Sequence, residues 1–172
     1  MRYRVLNPDE ISAIVDASAK MKERDRLIIR LSYFCAMSPT EVIHLRRENV
    51  DRDAKSIRVA MGAEFLDAHP PEIVFSELVS HAFLPPKGWL FMSTGRKCEM
   101  KGCEGGHISR KHVQIVFADV LKMAGIERCS AFSLRHTRLT EVAHRTQDAG
   151  MVQEIGRFSS LTIPRKYARS EA

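Results

Sequence analysis

Near its start the chain places apolar residues at helical spacing, at Ile11, Ile14 and Val15. They follow a helix-start signal in which Asn7 caps, Pro8 takes the first turn and Glu10 holds the capping-box position. The spacing predicts a second helix from Arg24 to Met37, with Leu27, Leu31 and Phe34 on one face. Ser38-Pro39-Thr40-Glu41 repeats the capping-box grammar and opens a third helix through Val42, Ile43 and Leu45. The period then changes. Asp51-Arg52-Asp53 reads as a turn, and Ser56 to Met61 alternates in the manner of a strand. A second short strand is expected at Glu72-Ile73-Val74-Phe75, after Pro70-Pro71, with Ser76 capping a short helix to Phe83. Pro85-Pro86 and Gly88 interrupt the chain, and Trp89-Leu90-Phe91 reads as a short buried segment.

Thr94 to Gly106 is a polar loop bearing glycine and lysine. Ser109 caps a longer helix with Val113, Val116, Phe117, Val120 and Leu121 on one face, closed by Gly125. Helices are expected from Ser133 to His144 and near Ala149 to Ile155, with a last short one near Pro164 that carries Tyr167. The pattern predicts a mostly α chain with a small antiparallel β-sheet, folded as one domain over residues 1–172.

Charge adds one constraint. Lys and Arg number 27 against 21 acidic residues, a formal excess of +6, which suits phosphate neutralisation on a nucleic acid. No apolar run approaches a membrane span, and no signal-peptide core follows Met1. Four cysteines are too few for a disulfide scaffold at this length, so a cytoplasmic, reducing setting is expected.

Three segments carry candidate chemistry. They are Cys35-Ala36-Met37-Ser38-Pro39-Thr40-Glu41-Val42-Ile43-His44-Leu45, then Phe132-Ser133-Leu134-Arg135-His136-Thr137, then Ile155-Gly156-Arg157-Phe158-Ser159-Ser160 followed by Tyr167. In this order, and behind the entry Leu6 to Ile11, they resemble the catalytic domain of the tyrosine recombinase (phage integrase) family across nearly the whole chain. The resemblance implies a tyrosine hydroxyl that attacks a DNA phosphorus and leaves a phosphotyrosine bond. It also implies two arginines and a histidine on the non-bridging oxygens, a hairpin lysine as proton donor, and no metal or other cofactor.

Matched position by position, Tyr167 stands at the nucleophile and Arg135 at the second arginine. Ser38 stands where the resemblance expects the first arginine, and reads equally as a helix cap. Phe132 falls at the second-box histidine and reads as core. His136 supports the site or is a satisfied interior histidine. Arg157 replaces the late His or Trp, as a phosphate contact or an exposed cation, and one extra residue near Phe158 lengthens the approach to Tyr167. Val59 to Val74 contains no lysine, and Lys97 and Lys101 reach the site only by folding over. These departures predict a scaffold that binds DNA with cleavage impaired or lost, in which Tyr167 is reduced to a packed aromatic. An active site-specific recombinase using Tyr167 and a module modulating a full-length recombinase are the alternatives.

Arg96, Lys97, Lys101, Arg110 and Lys111 flank a helix start, and Arg138 adds a cation beside the second box, so these are the expected DNA contacts. Cys98, Cys103 and His107, with His112 or Cys129 as a fourth ligand, form a weaker zinc alternative, because the spacing fits common patterns poorly. The expected partner is double-stranded DNA, joined by other recombinase protomers on it, with a monomer in solution. The resemblance also implies that the usual N-terminal core-binding domain is lacking.

Overall fold

The computed structural model describes residues 4–61, 64–82, 88–93 and 106–168. The expected helix end at Phe83 and the break at Pro85-Pro86 lie outside them. Helix α1 (Pro8–Ala19) starts as its sequence dictates: the Asn7 side chain accepts from the Glu10 amide at 2.9 Å, and Glu10 accepts from the Asn7 amide at 3.0 Å. Helix α2 (Glu23–Phe34) buries Leu27, Ile28, Ile29 and Leu31, and packs against α1, so that it lies at the centre of the molecule. Helix α3 (Pro39–Ile43) is short, and a 3₁₀ turn at Arg47–Asn49 leads into the sheet.

The sheet has three antiparallel strands in the order β1 (Val50–Asp51), β2 (Ser56–Met61) and β3 (Glu64–Ala68). Ile57 pairs with Ala68 and Val59 with Leu66. The small antiparallel sheet in a mostly helical chain agrees with the sequence expectation, but its last strand is elsewhere. Glu72 to Phe75, expected as a strand, opens helix α4 (Glu72–Ala82). The amides of Val74 and Phe75 both donate to the Pro71 carbonyl, closing the first turn, and Ser76 lies inside the helix rather than at its cap. Helical geometry splits the apolar run: Val74 and Phe75 are buried and Ile73 is exposed.

Helix α5 (Arg110–Ala124) is capped by Ser109, whose side chain accepts from the His112 amide, and ends at Gly125 with φ 70°. That left-handed conformation suits glycine, which has no Cβ to clash. Helix α6 (Ala131–Thr146) crosses α2 and carries the second box, and α7 (Ala149–Gly156) and α8 (Pro164–Ala168) close the chain over it. The main core joins α1 to α6 with the sheet. A smaller cluster of Ala36, Leu139, Val142, Ala143 and Val152 receives Ile155, Phe158 and Tyr167. This second cluster seats the tyrosine beside α6. Phe132, expected in the core, is 38% exposed, one helical turn before Arg135 and His136 on α6. Among the described residues no helix is long and apolar enough to cross a membrane.

Candidate active site

The site grows from the start of α3. Ser38 is extended, with φ −75° and ψ 157°, and its hydroxyl accepts from the Glu41 amide at 3.2 Å while Glu41 accepts from the Ser38 amide at 2.6 Å. This reciprocal cap fixes the Glu41 carboxylate in space, and two guanidiniums converge on it. Arg157 Nε donates to Oε1 at 2.6 Å and Arg135 Nη1 to Oε2 at 2.7 Å. The Arg157 side chain is 1% exposed and that of Glu41 11%, so water does little to screen the pair.

The same arginines satisfy backbone carbonyls that α2 leaves open at its C-terminal end. Arg157 Nη2 donates to the carbonyls of Cys35 and Ala36, both at 3.0 Å, and Nη1 to Ile155. Arg135 donates to Ala36 from Nη1 and to Gly156 from Nη2. Ala36 has φ 47°, an uncommon conformation for alanine, and its carbonyl serves both guanidiniums. Arg157 thus differs from both sequence expectations. It is neither open to a phosphate nor an exposed cation, but an interior residue that links α7 to the end of α2.

Burial raises the Glu41 carboxyl, but Arg157 and Arg135 lower it further, so it lies below the usual carboxylate range. A depressed folded-state value means that this stabilisation is present above the ordinary Glu range and is lost as the pH falls through the lowered value. Glu41→Gln is therefore expected to flatten the acid limb of the stability profile, which denaturant unfolding at a series of pH values measures.

His136 and Tyr167 meet directly, with His136 Nδ1 3.0 Å from the tyrosine hydroxyl. Burial holds His136 below the usual imidazole range, so at neutral pH the ring is uncharged and can accept a proton. The Phe158 ring joins the two halves of the site. Its centroid lies 6.4 Å from that of Tyr167 and 5.3 Å from the Arg135 guanidinium carbon. Ser38, Arg135, His136, Arg157 and Tyr167 are therefore gathered by α3, α6, α7 and α8 around one carboxylate and one aromatic ring. Three of the five N–H donors of Arg135 bond to described residues, which leaves two for a ligand.

The remaining expectations are spread more widely. Arg110 donates to the Thr40 hydroxyl at 2.6 Å, which brings the start of α5 against α3, and Lys111 is exposed beside it. Arg138 bonds to Glu141 at 3.3 Å and lies over the Tyr33 ring. Arg96, Lys97, Lys101, Cys98 and Cys103 lie outside the described residues. Of the zinc alternative, His112 bonds to Arg24 and Cys129 to Arg4. Among the described residues no three His, Cys, Asp or Glu side chains are grouped to hold a metal. One cluster escaped the sequence reading: His44, Trp89 and His107 pack edge to face, with the Arg46 guanidinium 4.3 Å from the Trp89 centroid. Its members come from separate segments, so no local pattern announces it.

Comparison with known proteins bears on the fold and the family. The family model described as "Phage integrase family" matches residues 4–172. The chain is 25% identical over 171 residues to the tyrosine recombinase XerA of Pyrococcus furiosus, covering 97% of this chain and 57% of that protein. It is 26% identical over 172 residues to the tyrosine recombinase XerC of Corynebacterium glutamicum, covering 95% and 54%. The chain thus spans little more than half the length of these relatives. Among solved structures, that of XerA recombinase matches with TM-score 0.79 at 20% identity, covering 99% of this chain and 62% of that one. The XerH site-specific recombinase bound to its difH substrate before cleavage matches with TM-score 0.78 at 19% identity, covering 95% and 49%.

Proposed function

This chain belongs to the phage integrase family, and on that premise we propose that it is a DNA-binding domain of the tyrosine recombinase type whose strand cleavage is impaired. One observation carries the reading. The position of the first arginine holds Ser38, which is committed to capping α3, that of the second-box histidine holds Phe132, and Arg157, at the late His or Trp, is committed to Glu41 in the interior. The first arginine and the second-box histidine are therefore missing from the site, and the hairpin stretch Val59 to Val74 supplies no lysine. Losing one such donor costs about 10²–10³ in rate, so the combined loss leaves little turnover even when the effects are not additive.

The partner is duplex DNA, a reading supported by the structural neighbour Tn1549 transposon integrase, solved in complex with circular intermediate DNA. Arg135 offers its two remaining donors to a phosphate. Arg110 and Lys111, at the start of α5, supply a second contact where backbone amides also point outward. Binding is expected to weaken steeply with salt. Arg110→Ala with Lys111→Ala should lower affinity on every duplex and reduce the slope of log affinity against log salt by about 2. Fluorescence anisotropy across a salt series checks this, and an unchanged slope removes these cations from the interface.

A second reading, retained cleavage through Tyr167, is favoured by the His136 contact. A neutral imidazole 3.0 Å from the hydroxyl is placed to take its proton. The two readings separate on a denaturing gel. A protein–DNA adduct that vanishes in Tyr167→Phe supports cleavage, and binding without an adduct supports the impaired domain.

A further inference from the structure

We propose that His44 and His107 together hold one divalent transition-metal ion, a site distinct from the recombinase-like centre. The two imidazoles come from different parts of the fold. His44 is the residue that ends α3, and His107 lies on the bridge to Met92 just before α5. Their ring centroids are 5.0 Å apart. Two imidazole nitrogens at about 2.0–2.1 Å from a shared tetrahedral ion place the ring centroids about 5 Å apart.

The hydrogen bonds set the tautomers. His44 Nδ1 lies 2.8 Å from the Thr40 carbonyl, and His107 Nδ1 lies 2.7 Å from the Ile108 carbonyl. A carbonyl only accepts, so each Nδ1 carries a proton, and the tautomer this selects has its lone pair on Nε2. This is the arrangement of a metal-binding histidine whose other nitrogen is held by the backbone. Neither Nε2 has a hydrogen-bond partner among the described residues. Trp89 packs edge-on against both rings, with centroids 6.1 Å from His44 and 5.0 Å from His107, which limits their swing. His44 is exposed, so an ion can enter from solvent, and water completes its coordination. Imidazole donors select zinc, nickel or copper over magnesium or calcium, which prefer oxygen. A bound ion would tie the end of α3 to the segment that leads into α5.

Calorimetric titration of the untagged full chain with zinc chloride tests the site. One ion per chain is expected, with affinity lowered more than about tenfold in His44→Ala and in His107→Ala. His112→Ala, whose imidazole is engaged by Arg24, serves as the control and should bind as the parent does. Circular dichroism of each variant shows that the fold is kept. Absence of stoichiometric binding by the parent, or binding that survives loss of both His44 and His107, overturns the proposal.

Discussion

Replacing Arg157 with methionine is expected to lower the unfolding free energy by about 3–5 kcal/mol, the cost of removing one partner from a buried ion pair. Methionine fills part of the volume but leaves behind several unmet groups. Glu41 Oε1 loses its 2.6 Å partner, and the carbonyls of Cys35 and Ile155 lose their donor. Arg135 still holds the other carboxylate oxygen, which places the effect toward the lower end of that range. The pairing itself is isolated by a cycle. Glu41→Gln with Arg157→Met should cost less than the sum of the two single changes, because neither charge of that pair is then stranded, although Arg135 still loses its carboxylate. Denaturant unfolding measures all three variants. A loss below about 1 kcal/mol in Arg157→Met, typical of a surface ion pair, would show that the guanidinium is solvated.

The second large effect is a gain. Ser38→Arg is expected to raise DNA cleavage by about 10²-fold, the lower value associated with one preorganised donor. The change carries a stability cost of about 1 kcal/mol, because Ser38 is the cap of α3 and its hydroxyl meets the Glu41 amide. Affinity for duplex should change far less than rate, since the added guanidinium acts mainly on charge that develops in the transition state. The readout is the rate of covalent adduct formation on a duplex that the parent binds, and it must depend on Tyr167. An unchanged rate in a folded Ser38→Arg variant would mean that the missing arginine is not what limits cleavage.

Much of this architecture is written locally in the sequence. The capping boxes at Asn7–Glu10 and Ser38–Glu41 were readable because each joins residues three apart, and Gly125 ended its helix for an equally local reason. The sheet was only half readable. β2 alternates, whereas β3 exposes Glu64, Phe65, Leu66 and Asp67 in succession and so offers no period of two. The apolar run Ile73-Val74-Phe75 imitated a strand, yet Pro70-Pro71 before it served as a helix entrance. In the site, Ser38, Arg135 and Tyr167 take their expected positions from the resemblance to the family, which the order of its three segments carries. The fate of Arg157 could not, because its carboxylate partner lies 116 residues away and only the fold brings the two together. The same holds for His44 and His107.

The central claim is that the scaffold binds duplex DNA while its cleavage is impaired. The most direct measurement is selection of bound duplexes from a random pool by the purified domain at low and moderate salt, followed by denaturing electrophoresis of the recovered complexes. The account predicts salt-sensitive recovery of a shared motif and complexes that denaturant takes apart completely. No recovery above background at low salt would contradict the binding claim. A denaturant-resistant adduct formed at a substantial rate by the parent, and absent in Tyr167→Phe, would contradict the claim of impaired cleavage.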